Sequence, residues 1–248
     1  MRRALENCAL TDDVEQAIRL AIEDQPRLTT ECRSVFIELH PDVLVLDGLV
    51  ETIAAKRRLA LLAAQNGGGL GVLDRVGVQT TTMREDAEIA IDLIEALKHE
   101  PIFQDYRVLA LPADAMSLPD HIAPSENSTI GVATGAGTAR LLGIVASLFH
   151  RRIAEVLCWW IPGITDVNNH LYVMPSETDS DEAITNAVRI ALHKDPWLNA
   201  PNLDVSTYAR EVKLAGTLPD AVQRHRAECD AWYVRGVHEV VNNIEISS

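Results

Sequence analysis

Apolar residues at Val14, Ile18, Ala21 and Ile22, at Ile89, Leu93, Ala96 and Leu97, and at Ile184, Val188, Ala191 and Leu192 share one i, i+4, i+7, i+8 spacing. That spacing puts each set on a single stripe of an amphipathic helix. The three helices come into register when Pro26, Pro101 and Pro196 are aligned. Asp12-Asp13, Glu85-Asp86 and Asp181-Glu182 open them, where the helix dipole favours negative charge, and the prolines are expected to close them, because the residue before proline is pushed out of the helical region. Two strand-like runs follow in the first and third sets, Val35 to Leu39 with Val43 to Leu46, and Leu203 to Thr207 with Val212 to Leu214. Turn-length links containing Pro41-Asp42 or Ala209-Arg210 join them, which predicts hairpins. Helical periodicity returns over Val50 to Ala64, Val145 to Trp159 and Leu218 to Trp232. An alternating strand closes each set.

A glycine pattern ties these elements together. Gly48, Gly68, Val72, Val76 and Val78 recur as Gly143, Gly163, Val167, Leu171 and Val173, and again as Gly216, Gly236, Val240, Ile244 and Ile246. Offsets of 95 and 73 superpose all five positions without a gap. One folding unit is therefore written three times. The first glycine is expected just after the second strand and the second at the end of the following helix, each ending an element where positive φ or close packing is needed. Units of this size bury only about 60% of their unfolded surface, so they are expected to pack on one another. The predicted fold is α+β: three tandem α-β-β-α-β units, each a small three-stranded sheet covered on one face by two helices. Their boundaries are expected at 12–79, 84–174 and 180–247. The second unit is longer by about 20 residues near 104–128, rich in Pro, Asp and Ser, which reads as a surface loop, or more sharply as a binding lid.

An α-β-β-α-β unit with these glycines and a V-x-x-x-L-x-V closing strand resembles the BON domain. Gly163-Ile164-Thr165-Asp166-Val167-Asn168-Asn169-His170-Leu171-Tyr172-Val173 and Gly236-Val237-His238-Glu239-Val240-Val241-Asn242-Asn243-Ile244-Glu245-Ile246 carry the resemblance. In the first unit Gly69 stands where Ile164 and Val237 do, and Leu73-Asp74 replaces the Asn pair. The resemblance implies a non-catalytic binding or scaffold module of bacterial envelope or stress proteins, with phospholipid or membrane-surface binding as the leading function. A potassium-binding relative makes a monovalent cation the alternative partner, and a protein partner is the third. No cofactor, metal or catalytic residue is implied.

Charge and composition narrow this further. The formal net charge of −14 is spread over all three units, so none carries the basic footprint that nucleic-acid binding requires. The first residues run into Thr11-Asp12-Asp13 before an apolar stretch develops, which predicts no export signal and a cytoplasmic location. Leu141 to Phe149 is far shorter than the roughly 20 residues of a membrane span. The four cysteines form no C-x-x-C pair and are expected to be reduced thiols.

The candidate chemistry is sparse. Gly131 to Arg140 contains G-x-G, but Arg140 replaces the third glycine of the dinucleotide fingerprint and a strand is predicted to follow, so a hairpin turn is the better account. No H-E-x-x-H or G-x-S-x-G occurs. Candidates for lipid or partner contact come from positions where the copies differ. After the helix-closing prolines stand Arg27, Ile102 and Trp197, and an exposed tryptophan suits a membrane interface. Lys56, Arg151 and Arg224 recur eight positions after the first glycine and read as a solvated face or an anion site, with Arg152 beside the second. Trp159 and Trp232 recur in equivalent slots and are expected to pack. Ile91 and Ile94 widen the apolar face of the second unit's first helix, which predicts that this helix is sandwiched between neighbouring units.

Overall fold

A computed structural model describes residues 14–116, 129–199 and 203–247, with the side chain of Arg27 excepted. The chain is mixed α+β and divides into two compact units, within 1–79 and 80–248. Asp12-Asp13 and residues 117–128 of the expected insertion lie outside the described residues.

The first unit has a helix over 14–23 (α1), then α2 (Pro26–Glu31), β1 (Ser34–Leu39), β2 (Val43–Val50), α3 (Ile53–Asn66) and β3 (Gly71–Val78). Its sheet has the order β1-β2-β3, with β1 antiparallel and β3 parallel to β2. Ile18, Leu28, Ile37, Leu44, Leu46, Leu59 and Val76 fill its core. Pro26 does not simply close a helix. It occupies the first turn of α2, a position that tolerates proline because that N–H has no helical partner.

The second unit carries two sheets. The first of them is built from α4 (Asp86–His99), a 3-10 turn (Pro101–Phe103), β4 (Arg107–Ala110), β5 (Thr129–Gly135), β6 (Thr138–Val145), α5 (Leu148–Trp160) and β7 (Asp166–Val173). The other comprises α6 (Asp181–Lys194), β8 (Asp204–Tyr208), β9 (Glu211–Leu218), α7 (Ala221–Tyr233) and β10 (Glu239–Ile246). The orders are β4-β5-β6-β7 and β10-β9-β8. The expectation of three strands fails for the middle repeat. Its extra residues begin with β4, paired parallel to β5, rather than running wholly as loop. The chain beyond β4 stays on the sheet: the Leu111 amide donates to the Val132 carbonyl at 2.7 Å, and Arg140 donates to the carbonyls of Ala113 and Ala115.

Gly48, Gly143 and Gly216 stand inside the second strand of each sheet, not after it, with φ of +129°, +136° and +128°. At Gly48 and Gly143 the cause is close approach. A Cβ at Gly143 would meet the Thr129 carbonyl oxygen of the neighbouring strand at 2.0 Å, and one at Gly48 would meet that of Ser34 at 2.1 Å. Gly68, Gly163 and Gly236 follow the second helix with positive φ, as their spacing predicts.

The G-x-G segment is the β5–β6 hairpin. Ala136 and Gly137 both have positive φ in a two-residue loop, the arrangement of a type I′ turn, and Ala209-Arg210 repeat it between β8 and β9. An acidic residue of the preceding helix ties down each turn. Asp86 accepts from the amides of Ala136 and Gly137 at 2.9 and 3.0 Å, and Asp181 from those of Ala209 and Arg210 at 2.7 and 3.0 Å. One acid per helix start therefore serves the hairpin as well as the helix dipole.

Candidate functional site

Each closing strand lies at the edge of its sheet, where unpaired backbone groups are a liability. An Asx residue and a helix cation occupy that edge in all three repeats. Asn169 donates to the Arg151 carbonyl at 2.8 Å and to Glu155 at 3.0 Å, and accepts from the Leu171 amide, while Arg151 donates to the Asn169 carbonyl at 3.2 Å. Asn242 and Arg224 repeat the arrangement with Glu228. In the first repeat Asp74 accepts from the Val76 amide and pairs with Lys56 at 2.9 Å, and Lys56 donates to the Val76 carbonyl. Lys56, Arg151 and Arg224 are thus not a merely solvated face: each clamps helix to strand.

Where α5, α6 and α7 meet, the middle repeat acquires a second layer of polar contacts. Arg152 is 3% exposed. Its guanidinium donates to Asp179 at 2.5 Å and to the Arg235 carbonyl at 2.8 Å, and Arg210 reaches the other oxygen of Asp179 at 3.1 Å. Burial works to raise the Asp179 carboxyl, but the two guanidiniums outweigh it and hold the group below its usual range. Gly236 makes room for this cluster, since a Cβ there would meet a nitrogen of Arg152 and one of Arg210, each at 3.2 Å. Trp159 stacks on Tyr233 with 5.9 Å between ring centroids, and Trp160 donates its indole N–H to Asp230 at 2.8 Å.

A groove of about 350 Å³ opens beside this junction, along the free edge of β7. Its lining includes Arg151, Asn168, His170, Tyr172 and, from the turn after α7, Arg235. Burial, the charge of Arg235 and that of Arg152 press the Arg151 guanidinium below its ordinary pKa, with Glu155 acting in the opposite sense. Its Nε is buried and has no hydrogen-bond acceptor among the described residues. Arg235 is half exposed and stands 3.7 Å from Glu155. Arg151 and Arg235 are the two guanidiniums that line the groove, with Glu155 beside Arg235.

The other candidates are dispersed. Trp197 is 72% exposed. Its backbone is held by Asp195, which accepts from the Trp197 amide at 2.9 Å. Ile102 is half buried and packs on the core of the middle repeat with Phe103, so it is not presented to a partner. Arg152 is enclosed by its own chain and is likewise not a contact residue. Ile94 packs on the core of its own repeat, whereas Ile91 is 57% exposed, so the sandwich expected for α4 is absent at that position. Within the second unit the two sheets' helices meet through α5 with α6 and α7 instead.

Sequence reasoning missed Arg235, Asp195 and Asp230. A signal was present: Arg235 aligns with Gly67 and Pro162, and Asp230 with Leu62 and Leu157. A charge in a slot that is apolar in the other copies marks a site that the third repeat alone built. Among the described residues no group of three His, Cys, Asp or Glu is placed to hold a metal ion, and no helix is long and apolar enough to cross a membrane.

Comparison with known proteins bears on the same region. A sequence profile of the BON domain matches residues 117–175 and 180–248, together just over half of the chain. The first compact unit lies outside both matched segments. No curated protein matches. Among solved structures, the C-terminal domain of CdsD, the structural protein of the type III secretion system of Chlamydia trachomatis, aligns over 96% of this chain and 98% of its own at 15% identity and a TM-score of 0.25. A second CdsD structure aligns over 95% and 92% at 15% identity and a TM-score of 0.24.

Proposed function

We propose, because this chain belongs to the BON domain family, that it is a non-catalytic binding protein which docks on anionic phospholipid through the arginine groove beside β7. The family suggests phospholipid or membrane-related binding. The observation that supports this placement is Arg151 and Arg235 lining one groove of about 350 Å³ in a chain of net charge −14. An acidic protein is repelled by anionic membranes unless its cations gather locally, and each basic residue near such a surface is worth about 1 kcal/mol. Tyr172, 74% exposed on the groove, adds an amphipathic ring of the kind that settles at headgroup depth. On this reading three BON-like modules (12–79, 84–174 and 180–247) form one cytoplasmic chain that works at a bacterial membrane, in an envelope or stress setting.

The test is co-sedimentation of the full chain with phosphatidylcholine vesicles containing or lacking phosphatidylglycerol, at low and moderate salt. Binding is expected only with the anionic lipid, weakening as salt rises. Replacing the exposed Arg235 by Gln is expected to weaken it roughly fivefold, the equivalent of about 1 kcal/mol. Binding that is absent at low salt, or indifferent to Arg235→Gln, rejects the proposal.

A further inference from the structure

Asp195 closes α6 and Asp230 lies in the last turns of α7, and both carboxylates are withdrawn from solvent, at 2% and 1% residue exposure. Arg226 donates to one oxygen of Asp195, and the Trp197 amide donates to the other at 2.9 Å. Asp230 accepts from Trp160 through Oδ1, while its Oδ2 is buried and receives no N–H among the described residues. The Asp230 and Asp195 side chains are close enough to share a hydrogen bond. Two carboxylate oxygens make such a contact only with a proton between them. One guanidinium balances one carboxylate, so the second is left as a buried charge unless it is neutral.

We infer that Asp230 carries a proton at neutral pH, donates it in a hydrogen bond to Asp195, and so forms a latch at the junction of the second and third repeats that alkaline pH releases. Loss of that proton removes the donor between the two carboxylates and leaves two adjacent negative charges beside Arg226. Repulsion then drives the end of α6 from α7, in the segment where Trp160 of α5 is bonded.

The charged surroundings favour the protonated form. Burial is the largest cause and Asp195 adds to it, with Trp160 and Arg226 opposing, so that the Asp230 carboxyl is pushed up to about 8. On α7 the other titratable neighbours are Cys229, raised to about 12 by burial, Tyr233, raised by burial and the surrounding negative groups, and the exposed His225, which lies 3.6 Å from the Cys229 sulfur. Glu228 faces Asn242 of β10. On α6, Lys194 is engaged by Glu100 at 2.6 Å, and on α5 Glu155 is bonded to Asn169 and Arg152 to Asp179.

Tryptophan reports the event. Trp160 is bonded to Asp230, and the backbone of Trp197 to Asp195. A fluorescence titration of the full chain from pH 5 to pH 10 is expected to show a transition with its midpoint near 8. Asp230→Asn keeps an acceptor for Trp160 and a donor for Asp195, and is expected to lack the transition and to emit at pH 9.5 as the wild type does at pH 6. Persistence of the transition near 8 in Asp230→Asn overturns the inference. Infrared spectroscopy of the wild type needs no variant: a protonated-carboxyl C=O band is expected at pH 7 and lost by pH 10. No such band at pH 7 also overturns it.

Discussion

Gly143→Ala is the most direct test of why the glycines recur. The added methyl carbon would lie 2.0 Å from the Thr129 carbonyl oxygen and 3.1 Å from its carbon, both backbone atoms that no rotamer change can move. Ordinary contact requires well over 3 Å, so β5 and β6 must separate locally, at the pairs Ile130 with Gly143 and Thr129 with Ile144. Losing about two ladder hydrogen bonds costs roughly 2 kcal/mol. The φ of +136° adds strain of about 1–3 kcal/mol for an L-residue. The sum, about 3–5 kcal/mol, is a large part of the typical 5–15 kcal/mol of a domain. It corresponds to a fall in melting temperature on the order of 10 °C for a unit of this size. The assay is thermal unfolding by circular dichroism beside Gly135→Ala, a glycine of the same sheet without positive φ, whose Cβ would make an ordinary 3.5 Å contact with Ala113. If the two variants melt together, close to the wild type, close approach is not what selects glycine there.

Other outcomes follow from the same contacts. Asn169→Ala removes donors from the Arg151 carbonyl and Glu155 and an acceptor from the Leu171 amide, and is expected to cost about 2–3 kcal/mol in urea unfolding. Asp179→Asn is expected to destabilise by about 3 kcal/mol near neutral pH, since Arg152 is left buried without its counter-charge. Because the folded Asp179 carboxyl is held below its unfolded value, its contribution is complete above that unfolded value and lost as pH falls through the folded one. Urea midpoints of wild type and Asp179→Asn should therefore converge at acid pH, and a constant gap would contradict the assignment. Ile91→Glu is expected to change stability by no more than about 0.5 kcal/mol, whereas Ile94→Glu, on the core side of α4, should lower the melting temperature clearly.

Periodicity determined most of the segments that became helices and strands, because an apolar stripe of period 3.6 or 2 has only one face to bury. The alternation at Val72, Val76 and Val78 was sufficient for β3 despite the divergent Gly69 and Leu73-Asp74, since Asp74 takes over the edge role that Asn169 and Asn242 fill in the other copies. The spacing of glycines likewise marked positions that need unusual backbone. It did not say that Gly48 and Gly143 stand inside strands, because that need comes from the carbonyl of a neighbouring strand, which has no fixed place in the spacing. The fourth strand was hidden for a related reason: Arg107–Ala110 is too short to show a period and becomes a strand by pairing with β5.

The polar groups were the least legible. Lys56, Arg151 and Arg224 were visible as a repeat, but whether a long cation faces water, a ligand or a strand edge depends on what lies within reach of its tip. Arg152, Asp179 and Arg210 are far apart in sequence, as are Trp160 and Asp230, and only the packing of α5 with α6 and α7 brings them together. The sequence by itself determined three copies of one unit, most of their elements and their apolar stripes, all local matters of spacing. The tertiary structure decided which charges are buried and which are paired, because desolvation and Coulomb energy depend on distances between segments that chain order does not set.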